Sequence, residues 1–313
     1  MPSRVRLIAI DIDGTLLPTS STTISQRNRR ALCEAQAAGI HIVIATGRRH
    51  QFAKSVLQQI GLWPRTALIS SNGSVTRHFD GEVVQRNLLP VATARALCTA
   101  LRPFGQTMVF TFDREDRPAL VVENMTSLQR KIGVWVESNR PDMMEIAPLE
   151  RVFDQDEAPI QGMICGDIVQ VRAAQQALEA TELAAMTAMH RTEYAERDLG
   201  ILDLLPPDCS KGHALKDYAR SLGLGAADVM AIGDNFNDQA MLQFAGSAVV
   251  MANAGVEMLA LAHRQGWTIT TLSNDEDGVA ATLEPLIRSA EKAEKVTDFA
   301  PEVVPSEAGG GDR

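Results

Sequence analysis

The hydrophobic pattern in the first part of the chain alternates between short apolar runs and amphipathic segments. The runs VRLIAI (5–10), HIVIAT (41–46) and TALISS (66–71) are typical of buried β-strands, and the segments 25–39 and 48–61 have the spacing of α-helices. Near-continuous apolar strands separated by helices predict a parallel sheet that is covered on both faces. The pattern therefore predicts an α/β fold with a doubly wound parallel sheet.

The pattern changes near residue 86. The runs TMVFTFD and PALVVEN alternate like the two strands of a hairpin, between predicted helices at 91–105 and 126–138. The segments DMMEIAP and QGMICGD, a helix at 170–181 and the segment LAAMTAMH complete this region. Neighbouring strands with short connections predict an antiparallel sheet with helices on one face. We therefore expect residues 86–190 to form an inserted α+β cap domain.

The alternation of strands and helices returns after the predicted cap. Its elements are helices at 211–223, 238–246 and 256–266, strands at 228–234, 247–253 and 267–273, and a last helix from Val279. We therefore expect a discontinuous core domain made of residues 1–85 and 191–290. Residues 291–313 end in a stretch rich in proline, glycine and acidic residues, which predicts a disordered tail.

Composition and charge narrow the class of protein and its partners. The chain has 313 residues, a net charge of −9 and no apolar run near the roughly 20 residues that a membrane span needs. An acidic chain is a poor match for nucleic acid, which binds basic surfaces. The N-terminal apolar run is too short for a secretory signal, so we expect a cytoplasmic protein without a membrane partner. A monomer is the default expectation, and a dimer stays open.

Polar clusters follow four of the predicted core strands, at the point where each strand ends. They are Asp11-Ile12-Asp13-Gly14-Thr15, Thr46-Gly47-Arg48, Ser71-Asn72-Gly73 and Gly233-Asp234-Asn235-Phe236-Asn237-Asp238. Ligands of open α/β sheets bind beyond the carboxyl ends of the strands. We therefore expect the four clusters to meet in one crevice, and this convergence carries more weight than any one cluster.

Four carboxylates in one crevice repel each other, so a bound cation is expected. Asp11, Asp13, Asp234 and Asp238 offer the oxygen ligands that Mg²⁺ prefers. Lys211, at the start of a predicted helix, can neutralise phosphate oxygens. The set predicts phosphoryl transfer, in which one carboxylate accepts the phosphoryl group and a second one moves protons.

The motifs also carry a family resemblance. DIDGTLL, ATGRR, SSNGS, CSKGHAL, GDNFNDQAML, AGSAVVMANA and SNDEDGVA resemble the motifs of the haloacid dehalogenase (HAD) superfamily, and most closely those of its Cof-type phosphatases. The resemblance covers most of residues 5–285, where the cap matches in length and pattern rather than in motifs. It implies a Rossmann-like core with an inserted cap of the C2 type (subfamily IIB), Mg²⁺ as cofactor and a small phosphorylated substrate.

The resemblance implies a role for each residue of the clusters. Asp11 is expected to be the nucleophile and a Mg²⁺ ligand, and Asp13 the general acid and base, with its backbone carbonyl on the metal. Asp234 is expected to be the third protein ligand, and Asp238 to support the metal through water. The residues expected to hold the phosphate are Thr46, Gly47, Arg48, Lys211 and Asn237, while Asn72 and Gly73 are expected to shape the edge of the site.

Other functions stay open at the level of the sequence. A phosphomutase, or a phosphatase dedicated to one sugar phosphate, would use the same residues. The cap would determine which of these activities the protein has, because it closes over the leaving group. A non-catalytic nucleotide-binding module would share the α/β sheet, although no GxGxxG follows the first strand. The sequence does not identify the substrate, so sugar phosphates, nucleotides and cofactor phosphates all remain candidates.

Overall fold

The computed structural model describes residues 5–19, 21–114 and 116–297 of the chain. Its strands are β1 (Leu7–Ile10), β2 (His41–Ala45), β3 (Ala67–Ser70), β4 (Val75–His78), β5 (Val83–Arg86), β6 (Val109–Thr111), β7 (Leu120–Val122), β8 (Met143–Glu145), β9 (Gln161–Gly166), β10 (Ala188–Tyr194), β11 (Leu199–Leu205), β12 (Val229–Gly233), β13 (Ser247–Val250) and β14 (Thr268–Ile269). Its α-helices are α1 (Gln26–Ala37), α2 (His50–Leu57), α3 (Val91–Leu101), α4 (Met125–Asn139), α5 (Ile168–Glu179), α6 (Leu183–Met186), α7 (Lys211–Ser221), α8 (Gln239–Phe244), α9 (Val256–Gln265) and α10 (Gly278–Thr297).

The first sheet has the strand order β14-β13-β12-β1-β2-β3-β4-β5. The strands from β14 to β3 run parallel, and β4 and β5 are antiparallel to their neighbours. From the central strand β1 the chain continues to β2 on one side and returns through β12 on the other. This arrangement creates a topological switch point beside β1, which is where ligands of α/β sheets bind.

Both faces of this sheet are buried, as the apolar runs predict. Ile8 and Ile10 of β1 pack into one cluster, to which α1, α2 and α10 contribute, while Leu7 and Ala9 pack into a second cluster with α7, α8 and α9. Successive side chains of a strand point to opposite faces, so an uninterrupted apolar strand is stable only between two helical layers. The predicted α/β class and doubly wound core are confirmed.

The second sheet has the strand order β10-β11-β9-β6-β7-β8. Its neighbours are antiparallel except for β7 and β8, which run parallel. Residues of α3, α5 and α6 cover one face, and residues of α4 cover part of the other. The expectation of helices on one face alone is therefore wrong, because Leu128 and Val136 of α4 pack on the opposite face against Val109 and Leu120.

The second sheet extends further along the chain than we predicted. β10 and β11 pair with each other and with β9, so residues 188–205 belong to this sheet. The predicted return to the core at residue 191 is thus too early. The boundary was misplaced because the apolar run of β11 resembles a strand of the first sheet, and because the polar sequence AMHRTEY of β10 gives no strong strand pattern.

A hairpin at the edge of the first sheet was not predicted. β4 and β5 are joined by a turn that contains Gly81 and add two antiparallel strands after β3. Their sequences, VTRH and VVQR, mix apolar and charged residues and were not recognised as strands. The first sheet is therefore mixed rather than wholly parallel.

The last helix continues beyond the predicted start of the tail. It runs to Thr297, so residues 291–297 are helical rather than disordered. The rest of the predicted tail, residues 298–313, lies outside the described residues. Among the helices that the structure describes, none combines the length and the apolar character that crossing a membrane requires.

Candidate active site

The first loop of the site begins where β1 ends. Asp11 is buried, and its N–H donates to the carbonyl of Ile232 in β12 at 3.1 Å, so the chain is still tied to the sheet at this point. Gly14 then turns the chain with a φ of +80°, and a Cβ there would lie 2.4 Å from Oδ2 of Asp234. The loop therefore passes so close to Asp234 that only glycine fits.

Lys211 lies at the centre of the acidic cluster. It starts α7, whose N-cap Ser210 accepts a hydrogen bond from the N–H of His213, and its side chain is fully buried. Its Nζ lies 2.6 Å from Oδ1 of Asp11 and 2.7 Å from Oδ1 of Asp238. Burial alone lowers the pKa of Lys211, but the two carboxylates outweigh burial and hold this pKa above its usual value. Lys211 is therefore a permanent cation between two carboxylates.

Asp234 and Asp238 are fixed by the loop that follows β12. Oδ1 of Asp234 accepts from the hydroxyl of Thr15 at 2.8 Å. Oδ2 of Asp238 accepts from the backbone N–H groups of Asp234 at 3.0 Å and Asn235 at 3.1 Å. One oxygen of Asp238 thus contacts Lys211, and the other accepts hydrogen bonds from the loop. This arrangement suits a supporting role better than direct metal binding.

Three carboxyl groups, two of them buried and that of Asp234 half-buried, form a site that fits a hard divalent cation. Oxygens of Asp11, Asp234 and Asp238 all lie within 4.8 Å of one another. Burial, and next to it the charge of Asp238, raises the pKa of Asp234 to about 7. Burial also raises the pKa of Asp11 well above its usual value, although Lys211 opposes this effect. One lysine cannot neutralise three carboxylates, so the donor set fits Mg²⁺.

Asp13 lies apart from this buried cluster. Its carboxylate forms a two-point ion pair with Arg48, with Nε–Oδ2 and Nη2–Oδ1 distances of 2.8 and 2.5 Å, and its side chain is 55% exposed. The structure therefore places Arg48 on Asp13. The role of Arg48 at the phosphate and that of the Asp13 carbonyl at the metal stay predictions.

The remaining predicted residues form a connected edge of the crevice. Thr46 is buried, and its hydroxyl accepts from the N–H of Arg48 at 3.1 Å while its carbonyl accepts from the N–H of Asn72 at 3.1 Å. The Asn237 amide donates to Oδ1 of Asn72 at 3.3 Å. A Cβ on Gly47 would lie 3.1 Å from that same Asn72 oxygen. Asn72 therefore joins three of the polar clusters.

Gly73 lets two loops meet. Its φ is +105°, and a Cβ there would lie 2.3 Å from the carbonyl oxygen of Ser210. Ser210 is the residue before Lys211, so the turn at residues 70–73 determines the position of the backbone that carries Lys211. A residue with a side chain would force these two backbones apart.

A cavity of about 640 Å³ opens beside this edge, and the second sheet forms its opposite wall. Gly47, Arg48, Asn72 and Asn237 line it from the core side. Residues from β6, β9, β10 and β11 line the other side. The volume lies within the range that is typical of small-molecule sites, so the cavity can hold the organic part of a substrate.

Three residues to which the sequence analysis gave no role also build the site. Thr15 holds Asp234, and it was visible within the motif DIDGT. The Asn253 amide donates to the carbonyl of Gly14 at 2.7 Å, and this residue lies at the polar end of the motif AGSAVVMANA. Arg49 forms an ion pair with Asp142 and donates to Oδ1 of Asn139 at 2.9 Å. No sequence pattern indicates this last contact, which joins residues 90 or more positions apart.

Comparison with known protein families gives a match over most of the chain. A family model described as haloacid dehalogenase-like hydrolase matches residues 8–283. This range contains all the predicted site residues, including Asp11, Lys211 and Asp234.

Individual proteins match over nearly their full length. Phosphatase YwpJ of Bacillus subtilis (strain 168) is 30% identical over 306 residues, covering 90% of this chain and 100% of that protein. The 5-amino-6-(5-phospho-D-ribitylamino)uracil phosphatase YwtE of the same organism is 27% identical over 304 residues, covering 90% and 98%. A crystal structure of a haloacid dehalogenase-like hydrolase from Bacteroides thetaiotaomicron has a TM-score of 0.73 and 27% identity, covering 90% of this chain and 99% of that one.

Proposed function

The chain belongs to the haloacid dehalogenase-like hydrolase family, and from this membership we propose that it is a Mg²⁺-dependent phosphatase of small phosphorylated metabolites. The single observation that carries the proposal is the contact between the buried Lys211 and Asp11, at 2.6 Å, beside Asp234 and Asp238. A carboxylate held by a cation at the carboxyl end of a parallel sheet is ready to accept a phosphoryl group.

Asp11 is the proposed nucleophile. Its Oδ1 is held by Lys211, so we assign the attack to Oδ2. Oδ2 bonds to phosphorus, the bond from phosphorus to the ester oxygen breaks, and that oxygen takes a proton from Asp13. Water then attacks the phosphorus and gives a proton back to Asp13, the bond from phosphorus to Asp11 breaks, and phosphate leaves.

Asp13 is suited to move protons because it is accessible. Its side chain is 55% exposed and is oriented by two of the three guanidinium nitrogens of Arg48, so the ester oxygen and the attacking water can both reach it. Arg48 holds Asp13 beside Thr46 and Gly47, the residues proposed to bind the phosphate. Arg48 is therefore a positioning residue for the proton transfer.

The acidic cluster is the proposed Mg²⁺ site. Asp11, Asp234 and the Asp13 carbonyl would hold the ion, with Asp238 behind them, and the ion would supply positive charge to the phosphoryl oxygens. Lys211, Thr46, Gly47 and Asn237 would bind the remaining oxygens. With positive charge from the ion and from Lys211, an acidic protein would be able to bind an anionic substrate.

The residues on the second sheet form the proposed cap over the leaving group. They supply the wall of the cavity opposite Asn72 and Asn237, and Arg49 ties the two parts together through Asp142. YwtE is named as a phosphatase of a phosphorylated ribityl compound, which supports a small phosphorylated metabolite as substrate here.

The test is phosphate release from a panel of phosphorylated metabolites, with Mg²⁺ and with EDTA. We expect release that needs Mg²⁺ and that is lost in Asp11→Asn, while Asp154→Asn, a change at an exposed ion pair, retains it. Release that is equal in EDTA, or in Asp11→Asn, contradicts the proposal. Transfer of the phosphoryl group to a second sugar hydroxyl instead of water would identify a phosphomutase.

A further inference from the structure

A row of polar side chains crosses the second sheet on the face that looks into the cavity. It consists of Thr111 on β6, Gln161 on β9, Asp203 on β11 and His190 on β10. Thr111 is the register partner of Gln161, and Asp203 is the register partner of His190. Nε2 of Gln161 donates to Oδ1 of Asp203 at 2.6 Å, which joins the two pairs. The row therefore runs without interruption across four adjacent strands.

The polar side chains of this row differ from the apolar side chains around them. The side chains on the same face of the same strands include Val109, Met163, Cys165 and Ile201, which pack in an apolar cluster. Burial raises the pKa of Asp203 to about 6, although the hydrogen bond from Gln161 opposes this shift. A carboxylate costs folding free energy at such a position. Leucine would be the more stable choice, so stability does not explain Asp203.

The row presents hydrogen-bond acceptors. Since the Gln161 amide nitrogen is used on Asp203, Oε1 of Gln161 and Oδ2 of Asp203 are the atoms left to receive donors. Nε2 of His190 is buried and has no hydrogen-bond partner within the part of the chain that the structure describes. Burial lowers the pKa of His190, against the effect of a hydrogen bond to the backbone of Cys209, so the ring is neutral.

The row lies across the cavity from the proposed phosphate site. Thr111, Gln161 and Asp203 line the same cavity as Asn72 and Asn237. A phosphate ester bound at the core would therefore extend its organic part toward the row. Gln161 and Asp203 are half-buried, so the acceptor oxygens that they leave free can receive hydrogen bonds from the donors of a ligand in the cavity.

We propose that Gln161 and Asp203 bind hydroxyl groups of the substrate's leaving group, so that the enzyme selects phosphate monoesters of polyols or sugars. This inference rests on the proposed phosphatase function. The apolar wall of Met163, Ile201 and Trp135 takes the carbon skeleton or a ring.

The first test uses the wild-type protein and substrate pairs that differ by one hydroxyl. Suitable pairs are ribose phosphate and deoxyribose phosphate, glucose phosphate and deoxyglucose phosphate, and glycerol phosphate and propyl phosphate. We expect kcat/KM to fall by roughly 10- to 100-fold in at least one pair, the effect of one hydrogen bond to a charged group. Equal kcat/KM within every pair, or a preference for amino-substituted esters, overturns the proposal.

The second test is the variant Asp203→Leu. Its control is Asp154→Leu, at an exposed position between β8 and β9 of the second sheet. In Asp203→Leu we expect the members of the discriminating pair to become equal within about twofold. We also expect the melting temperature to stay or rise, because leucine matches the apolar face. Asp154→Leu keeps the discrimination. A purely structural role for Asp203 predicts the opposite, a lower melting temperature with discrimination unchanged.

The control substrate is p-nitrophenyl phosphate, whose leaving group has no additional hydroxyl. Mg²⁺-dependent hydrolysis of this ester by the wild-type protein shows that the phosphatase function holds, and the deoxy pairs then decide the inference on its own. Absence of Mg²⁺-dependent release from this ester and from all panel members contradicts the phosphatase function itself. If Asp203→Leu does not fold, the wild-type pairs still decide the inference.

Discussion

Nζ of Lys211 lies 2.6 Å from Oδ1 of Asp11, although the two residues are 200 positions apart in the chain. The fold brings them together because Asp11 directly follows β1 and Lys211 starts α7, which packs on one face of the same sheet. Lys211 is the cation that lets Asp11 and Asp238 stay buried side by side. The contact therefore links the stability of the site to its chemistry.

Replacing Lys211 by methionine should damage both stability and activity. Lys211→Met keeps the volume but leaves two buried carboxylates without their cation, so the free energy of unfolding should fall by about 3–5 kcal/mol at neutral pH. Phosphate release should fall by a factor on the order of 100 or more, because a preorganised donor is lost. Lys216→Met, on the same helix but outside the cluster, is the matched control for urea unfolding and activity. Unchanged values for Lys211→Met would refute the central role of this lysine.

Mg²⁺ should stabilise the protein more as the pH rises. Burial raises the pKa of Asp234 to about 7, so between about pH 4 and pH 7 the folded state binds more protons than the unfolded state. In EDTA the free energy of unfolding therefore falls as the pH rises through this window. Mg²⁺ needs the deprotonated carboxylates, so the increase in melting temperature that it causes should be larger near pH 8 than near pH 6.

The variant Asp234→Asn provides the control for this pH effect. The amide does not titrate, so the dependence of the Mg²⁺ effect on pH should become weaker in this variant, and the Mg²⁺ effect itself should become smaller. Thermal unfolding with Mg²⁺ and with EDTA at both pH values measures each quantity. A Mg²⁺ effect that is the same at both pH values in the wild-type protein speaks against a cation site formed by these carboxylates.

Gly73→Ala should lower activity through the backbone. A Cβ at this position would lie 2.3 Å from the Ser210 carbonyl oxygen, so the loop that carries Lys211 must move. Gly81→Ala is a close match, because Gly81 has a φ of +100° but no atom within 4 Å of the added Cβ. Both variants should lose about 1–3 kcal/mol from backbone strain. Only Gly73→Ala should also lose phosphatase activity, and equal activities of the two variants would show that the contact with Ser210 is unimportant.

The sequence predicted the site residues that directly follow strands of the parallel sheet. Asp11, Asp234 and Asp238 follow β1 and β12, and the carboxyl ends of neighbouring parallel strands meet by geometry. The confirmed apolar runs locate these ends to within a residue or two. Lys211 was found as a cation at the start of a predicted helix, where it can neutralise phosphate oxygens.

Contacts that depend on pairing between distant polar segments could not be predicted. Arg48 binds Asp13, and Arg49 reaches Asp142, but no periodicity marks either pair. The row of Gln161, Asp203 and His190 exists only because β9, β11 and β10 are neighbours in one register. β10 itself is polar, so the end of the second sheet was placed too early. Register is a tertiary property that a single strand does not encode.

The most direct test of the account is to trap the phosphorylated enzyme. Wild-type protein with Mg²⁺ and its best substrate is quenched in acid and digested, and the peptides are analysed by mass spectrometry. We predict one phosphoryl group on the peptide that contains Asp11, labile to hydroxylamine as an acyl phosphate is, and no such group in Asp11→Asn. A phosphoryl group elsewhere, or turnover by Asp11→Asn at the wild-type rate, would contradict Asp11 as the nucleophile.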